Sequence, residues 1–387
     1  MKKSAIKYYI FLLVLLSSLQ LIFAIRTNTF FSVDDFFEIA YFNKFSPIQF
    51  VPDFLIHGDM NEFVKITGFV FFYITQKLFG LNHFAFDGLL FVFHTGNLIL
   101  LFLIVRKLTK NDFGSFFVSL IFNKNYLFYY SNIHELSLTL FSLLTIFTFI
   151  YFPKKFYLTV TFFVLALFSK ETAVFVPLAL MAISLFYTMD RKRILTFLSI
   201  SFVFAIYAGY FFYTKKVVGD NFIYTPTARV IDLFRGLLFF VNYKVLTLVL
   251  ALPLITKKYK YLPLLLVFFM ALTPAAMLVN RREEYYLYMP FSYLMIYLSM
   301  FLSKISYKSA ILYLIILFVF GGRNVFPKIA RQNFPNWQKE SIYKVLELKD
   351  KGQNDFSNIN LERDAKLMLG SGTTELFLEQ MRKEKND

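Results

Sequence analysis

Two adjacent carboxylates, Asp34 and Asp35, stand shortly after the first apolar run of the chain. In such a pair one carboxylate can take the proton from a hydroxyl as a general base. The other can orient it, hold a second reactant, or bind a divalent ion through oxygen. Further along, Lys65, Glu135, Lys170-Glu171, Arg235 and Arg281-Arg282-Glu283-Glu284 supply fixed charges, and His94 lies inside an apolar run. Cations at fixed positions stabilise charge developing on a phosphate, Arg through paired hydrogen bonds and Lys as a mobile point charge. Each group also has a plain structural reading. Ser32 to Asp35 fits a helix capping box with acids in the first turn. Lys170-Glu171 fits an ion pair in a tight hairpin, and the Arg281–Glu284 run fits a solvated loop. Arg235 and Lys244 fit side chains that snorkel to an interface, and His94, with Asn97 one turn later, fits polar joining of helices. His57, His83, His94 and His134 lack metal-motif spacing, so no metal ligand set is assigned. Cys is absent, which excludes disulfides, a thiolate nucleophile and thiolate-bound zinc.

What must position these groups is a membrane domain. The 387 residues include 54 Phe and 25 Tyr, 57% are hydrophobic and only 17% charged, and the mean hydropathy is +0.56. Soluble domains carry about 25% charged residues. The composition excludes a soluble enzyme, a disordered scaffold and a secreted mini-protein, and with it nucleic acid as the partner of the +16 charge. A spanning helix needs roughly 20 apolar residues. Eleven such spans are expected, near 5–25, 84–105, 113–131, 135–152, 156–170, 172–189, 194–214, 231–256, 261–280, 285–303 and 309–322. The first reads as an uncleaved anchor, because no small-x-small site precedes Arg26.

Charge sets the orientation. If Phe63–Leu81 lies on the outer surface as an interfacial helix, the inner loops hold 16 basic and 2 acidic residues, while the rest of residues 1–322 holds 13 of each. Counting that segment as a span would put most basic loops outside, against the positive-inside rule. The expected architecture is therefore an all-α polytopic membrane domain over 1–322, with a first outer loop at 26–83. A polar tail over 323–387, with 12 basic and 10 acidic residues, reads as mainly helical and extracytoplasmic. Within it Asn336 can cap a helix that places Trp337, Ser341, Val345 and Leu348 on one face. The N-terminus is expected in the cytoplasm and the protein in the plasma or inner membrane. On this topology the chemically capable residues collect on the outer face. Ionisable groups at membrane depth cost about 2.5–3.5 kcal/mol each unless paired or solvated, and an outward-opening charged cavity would supply that solvation.

Taken in order, the acidic pair, a helix ending Leu78-Phe79-Gly80-Leu81, His94-Thr-Gly-Asn97, Ser169-Lys170-Glu171 followed by Pro177, and Tyr286-Leu-Tyr288-Met-Pro290 resemble the GT-C superfamily. Its members are integral-membrane glycosyltransferases that use polyprenyl-phosphate sugars. The nearest likeness is to the bacterial branch related to protein O-mannosyltransferases and lipid A aminoarabinose transferases, and it covers about Thr27 to Pro290. The resemblance implies Asp34 and Asp35 as catalytic. It implies Lys170 and Glu171 at the donor site, a polyprenyl-phosphate sugar as donor and a protein, lipid or glycan hydroxyl as acceptor. By their chemistry Lys170, Arg235, Arg281 and Arg282 are the cations available to the donor phosphate, Lys65, His94 and Glu135 are candidates to line the donor or acceptor site, and attack opposite a phosphate leaving group gives inversion. No cofactor is assigned, and the carboxylates can accept a divalent metal. The chain departs from the pattern at two points: Ile66 stands where relatives often have Pro after a basic residue, and Tyr285 stands where relatives commonly have Arg. A transporter or flippase for a lipid-linked saccharide is the alternative reading, since it too combines many spans with cations in a cavity.

Overall fold

The computed structural model describes residues 3–27, 65–123, 132–186, 191–214, 229–241, 243–278, 284–302 and 344–353, with Glu375 and Leu378. These residues are helical throughout, with no strand among them. The main helices are α1 (Lys3–Thr27), α2 (Ile66–Phe79), α3 (His83–Thr109), α4 (Asp112–Phe122), α5 (Ile133–Tyr151) and α6 (Phe156–Leu167). They continue with α7 (Val176–Ser184), α8 (Arg191–Thr214), α9 (Val230–Phe240), α10 (Tyr243–Thr256), α11 (Leu262–Met277) and α12 (Tyr288–Leu302). Short 3-10 turns at Glu171–Phe175, Tyr259–Tyr261 and Glu284–Leu287 lead into α7, α11 and α12. Three stretches among the described residues are long and apolar enough to cross a membrane: His83–Thr109, Ile133–Tyr151 and Tyr259–Met277.

Local sequence explains where these helices begin. The Asn82 side chain accepts from the Phe84 amide at 3.0 Å and Asn111 accepts from Gly114 at 3.0 Å, each satisfying a donor that a helix start leaves open. Pro177 and Pro263 occupy the first turns of α7 and α11, where a missing N–H is harmless. Gly80 ends α2 at φ 62, a conformation that any Cβ disfavours.

Helix α5 forms the centre, packed between α2, α3, α6, α7 and α12. Its buried hydroxyls would be costly in an apolar interior, and most turn back onto the helix itself. Thr139 donates to the Glu135 carbonyl, Thr145 to Phe141 and Thr148 to Leu144, all within 2.8 Å. The stripe therefore offers neighbouring helices a nearly smooth surface, while apolar layers such as Leu136, Leu143, Ile146 and Phe149 fill the rest. Tyrosine hydroxyls fasten helix to helix: Tyr151 donates to the Leu103 carbonyl of α3 and Tyr297 of α12 to Val249 of α10, each at 2.9 Å.

One expected element differs. The run 231–256 is two helices, because Val241 is extended (φ −126°, ψ 110°) and closes α9 by donating to the Leu237 carbonyl at 2.8 Å. Helix α9 is strongly amphipathic. Gly236 and Phe240 face the protein, and a Cβ at Gly236 would run into the backbone carbonyl of Ala276 on α11. Eleven residues rise only about 16 Å, so α9 cannot cross a bilayer by itself. Residues 309–322, the Asn336 cap and most of the tail fall outside the described residues, but helix 344–350 is present with Val345 buried, and Lys349 pairs with Glu375 at 2.7 Å.

Candidate functional site

Glu135 occupies the first turn of α5, where the positive end of the helix dipole favours an acid. Lys170 is reached differently. Helix α6 ends at Leu167, the chain turns through Phe168 and Ser169, and Lys170 continues with an extended backbone before the 3-10 turn that begins at Glu171. The Lys170 ammonium donates to Glu135 Oε1, with only 7% and 4% of the two side chains exposed. Two aromatic faces complete the environment of the cation: the Tyr286 ring centre lies 4.3 Å from Lys170 Nζ and that of Tyr285 5.8 Å. Such faces attract an ammonium through their quadrupole, more strongly when water is excluded.

The neighbouring layer comes from α2. Thr67 joins the hairpin that carries Lys170, its amide donating to the Phe168 carbonyl at 2.9 Å and its hydroxyl to Leu165 at 3.1 Å. That stitch brings Lys65 to the site. The His134 imidazole hydrogen-bonds the Lys65 main chain, stands edge-on to Phe69 with ring centres 4.5 Å apart, and packs directly on Gly68. Lys65 and Glu171 are both within electrostatic reach of Glu135. Thus Lys65, Glu135, Lys170 and Glu171, scattered in sequence, form one charged cluster between α2, α5, α6 and the start of α12.

His94 belongs to a second, uncharged cluster. Its Nδ1 lies 2.7 Å from the Tyr288 hydroxyl and its Nε2 3.0 Å from Asn123 Oδ1. Asn97 donates to the same Tyr288 oxygen at 3.4 Å and to the Leu136 carbonyl at 3.2 Å. Ser17 and Gln20 of α1 reach the side chain and main chain of Asn123 at 3.4 and 2.7 Å. Tyr288 opens α12 directly after the turn that holds Tyr285 and Tyr286, so this cluster fixes the base of the aromatic wall over Lys170.

Arg235 stands on the outside of α9, 69% exposed, and faces Asp232 at 3.7 Å along its own helix. Asp34, Asp35, Arg281 and Arg282 lie outside the described residues. No group of three or more His, Asp or Glu side chains able to hold a metal forms among the described residues.

Helix α6 rises about 18 Å over its 12 residues before the turn, and the Lys170 ammonium beyond it is buried, held by its carboxylate and the tyrosine rings.

No protein-family model matches the chain, and neither does any curated protein or solved structure.

Sequence reasoning did not find the roles of Tyr286, Tyr288, His134 and Gly68. With 25 tyrosines in the chain, none announces itself as a cation platform. A signal did exist at His134-Glu135: two polar residues opening a long apolar run are expensive unless they have partners.

Proposed function

We propose that this protein is a membrane glycosyltransferase that moves a sugar from a polyprenyl-phosphate donor to an acceptor hydroxyl on the extracytoplasmic face, with inversion. The observation that carries the reading is the convergence of Lys65, Glu135, Lys170-Glu171 and Tyr285-Tyr286 into one buried cluster. Ser169-Lys170-Glu171 and Tyr286-Leu-Tyr288 are among the segments on which the GT-C resemblance rests, and the charges gathered around them suit a lipid-borne phosphate. The arrangement envisaged is eleven spans, with α2 and α9 lying at interfaces and the lysine-rich loops in the cytoplasm.

In this reading the acceptor oxygen attacks the anomeric carbon as the bond from that carbon to the phosphate oxygen breaks. The acceptor proton passes to Asp34 or Asp35, and the polyprenyl phosphate leaves with the bonding electron pair. That leaving group is a stable anion, so no general acid is required. Lys170 stabilises its growing charge, and because Glu135 and the tyrosine rings hold the ammonium in place beforehand, little reorganisation is needed during the reaction. Glu135 sets the position of Lys170, while Lys65 and Glu171 line the approach.

The test uses purified full-length protein in lipid, radiolabelled polyprenyl-phosphate sugars and a membrane extract as acceptor. Transfer of label by the wild type, its loss in Asp34→Asn or Asp35→Asn, and its loss in Lys170→Met are expected. Unchanged transfer in both aspartate variants removes the proposed base. The uncharged His94–Tyr288–Asn123 seam, which puts polar groups deep among the helices, favours the flippase alternative. Label that only changes leaflet, equally in wild type and Asp34→Asn, would select it.

A further inference from the structure

A cavity of about 720 Å³ opens at the end of the molecule opposite the Lys170 cluster, lined by Thr109, Leu185, Phe186, Tyr259, Lys260 and Tyr261 among others. It sits where α3 and α7 end and α11 begins, beside Met300 near the far end of α12. Its inner side is an aromatic ladder, with Phe186 and Tyr261 centred 5.2 Å apart and Tyr261 and Phe301 5.4 Å apart. Lysines bracket that ladder: Lys260 Nζ is 5.2 Å from the Tyr261 ring and Lys258 Nζ 5.7 Å from that of Phe301.

Among the described residues, Lys110, Lys257, Lys258 and Lys260 flank the cavity in sequence, and Asp112 is paired with Arg106 at 2.7 Å. Two of these lysines sit where the backbone would ordinarily select glycine. Lys110, next to the lining Thr109, and Lys257, directly after α10, are the only non-glycine residues with positive φ among the described residues, at 57° and 53°. Glycine is the usual choice for such left-handed helix ends, so cations are kept at this rim against local backbone preference. Beside the rim, Leu185, Leu254, Leu262 and Leu266 leave large apolar side chains exposed. A basic, aromatic-walled pocket opening onto an apolar flank matches a molecule with an anionic head and hydrocarbon tails.

We propose that this cavity is a binding site for the headgroup of an anionic phospholipid, separate from the Glu135–Lys170 cluster, with the acyl chains lying along α7 and α11. Basic pockets between membrane helices hold such headgroups through several cations acting together. The tyrosine hydroxyls and Thr109 add neutral hydrogen-bonding groups around the phosphate. The site does not depend on sugar transfer and would serve a flippase equally well.

Native mass spectrometry of the full-length protein, released from vesicles of equal phosphatidylglycerol and phosphatidylcholine, tests the proposal. The wild type should retain phosphatidylglycerol at least about tenfold over phosphatidylcholine, and Lys258→Gln/Lys260→Gln should lose most of that preference, as expected for two basic groups near an anionic lipid. Lys260 is exposed and Lys258 partly so, and thermal unfolding in detergent close to the wild type checks that the variant folds. Lys154→Gln/Lys155→Gln, which removes two exposed lysines from another short loop outside this cavity, should retain the preference. Three results would overturn the inference: equal retention of both lipids by the wild type, equal losses in the two variants, which would mean only diffuse attraction to basic loops, or displacement of the lipid by inorganic phosphate alone, which would make the pocket a site for a soluble anion.

Discussion

At the residue scale, the Glu135–Lys170 pair decides most. Removing one member of a buried ion pair strands the other charge and typically costs about 3–5 kcal/mol, whereas replacing both with apolar groups is close to neutral. Lys170→Met alone should therefore lower stability by that amount in thermal unfolding in detergent. Adding Glu135→Leu should restore most of it without restoring transfer. A double variant as unstable as the single one would show that the pair does not share its charge in the way its geometry indicates. Gly68 supplies a second prediction, because a Cβ there meets the His134 imidazole, and His134 is itself buried. Gly68→Ala should cost about 1–3 kcal/mol through overpacking. In a His134→Ala background the same change should cost little, a coupling read directly from a double-mutant cycle. The sequence made Lys170 and Glu135 legible as charges in the wrong solvent. It left their pairing open, because Glu171 was an equally close candidate in sequence, and only the turn at Phe168–Ser169 aims the ammonium at α5.

At the element scale, α12 links the two polar clusters. Its first residue, Tyr288, is held by His94 and Asn97, and the turn before it lays Tyr286 over Lys170. Tyr288→Phe removes a hydroxyl shared by two buried partners and should destabilise by about 1–3 kcal/mol. Tyr286→Phe, which keeps the ring, should leave transfer near wild type, while Tyr286→Leu, which removes it, should impair transfer; equal activity in the two would remove the ring from the site. Helices α3 and α5 were legible because their apolar runs, 27 and 19 residues, are long enough to cross a membrane and carry Asn or an acid at the start. The break at Val241 was not. The hydropathy of 231–256 is continuous and does not mark the extended residue at Val241, and α9 packs closely on α11, with Gly236 against Ala276. Gly236→Val should therefore cost about 3 kcal/mol, the upper end for overpacking, since the obstructing atom is a backbone carbonyl that cannot rotate away.

At the scale of the whole molecule, the chain separates two chemistries by length. Helix α12 starts at the tyrosine wall over Lys170 and reaches Met300 beside the lysine-rimmed cavity about 18 Å later. Among the described residues, Lys110, Lys257, Lys258 and Lys260 gather toward one end and the buried ion pair lies toward the other. The 16-to-2 ratio of basic to acidic residues in the loops expected inside leads the sequence to expect such a polarity. The convergence of α2, α5 and α6 on one point was not legible, since no periodicity encodes which helices become neighbours. The polarity predicts an orientation, and the absence of native cysteine makes it simple to measure. Single cysteines at Lys110 and Lys258 should react with a membrane-impermeant maleimide only after the membrane is opened, while one at His83, at the start of α3, should react in intact cells. Labelling from the same side at all three positions would dismiss alternate crossing by α3. The reverse pattern, with Lys110 and Lys258 labelled in intact cells, would turn the molecule over and place the Lys170 cluster on the cytoplasmic side. There it would face donors attached to nucleotides instead of donors carried on the outer leaflet.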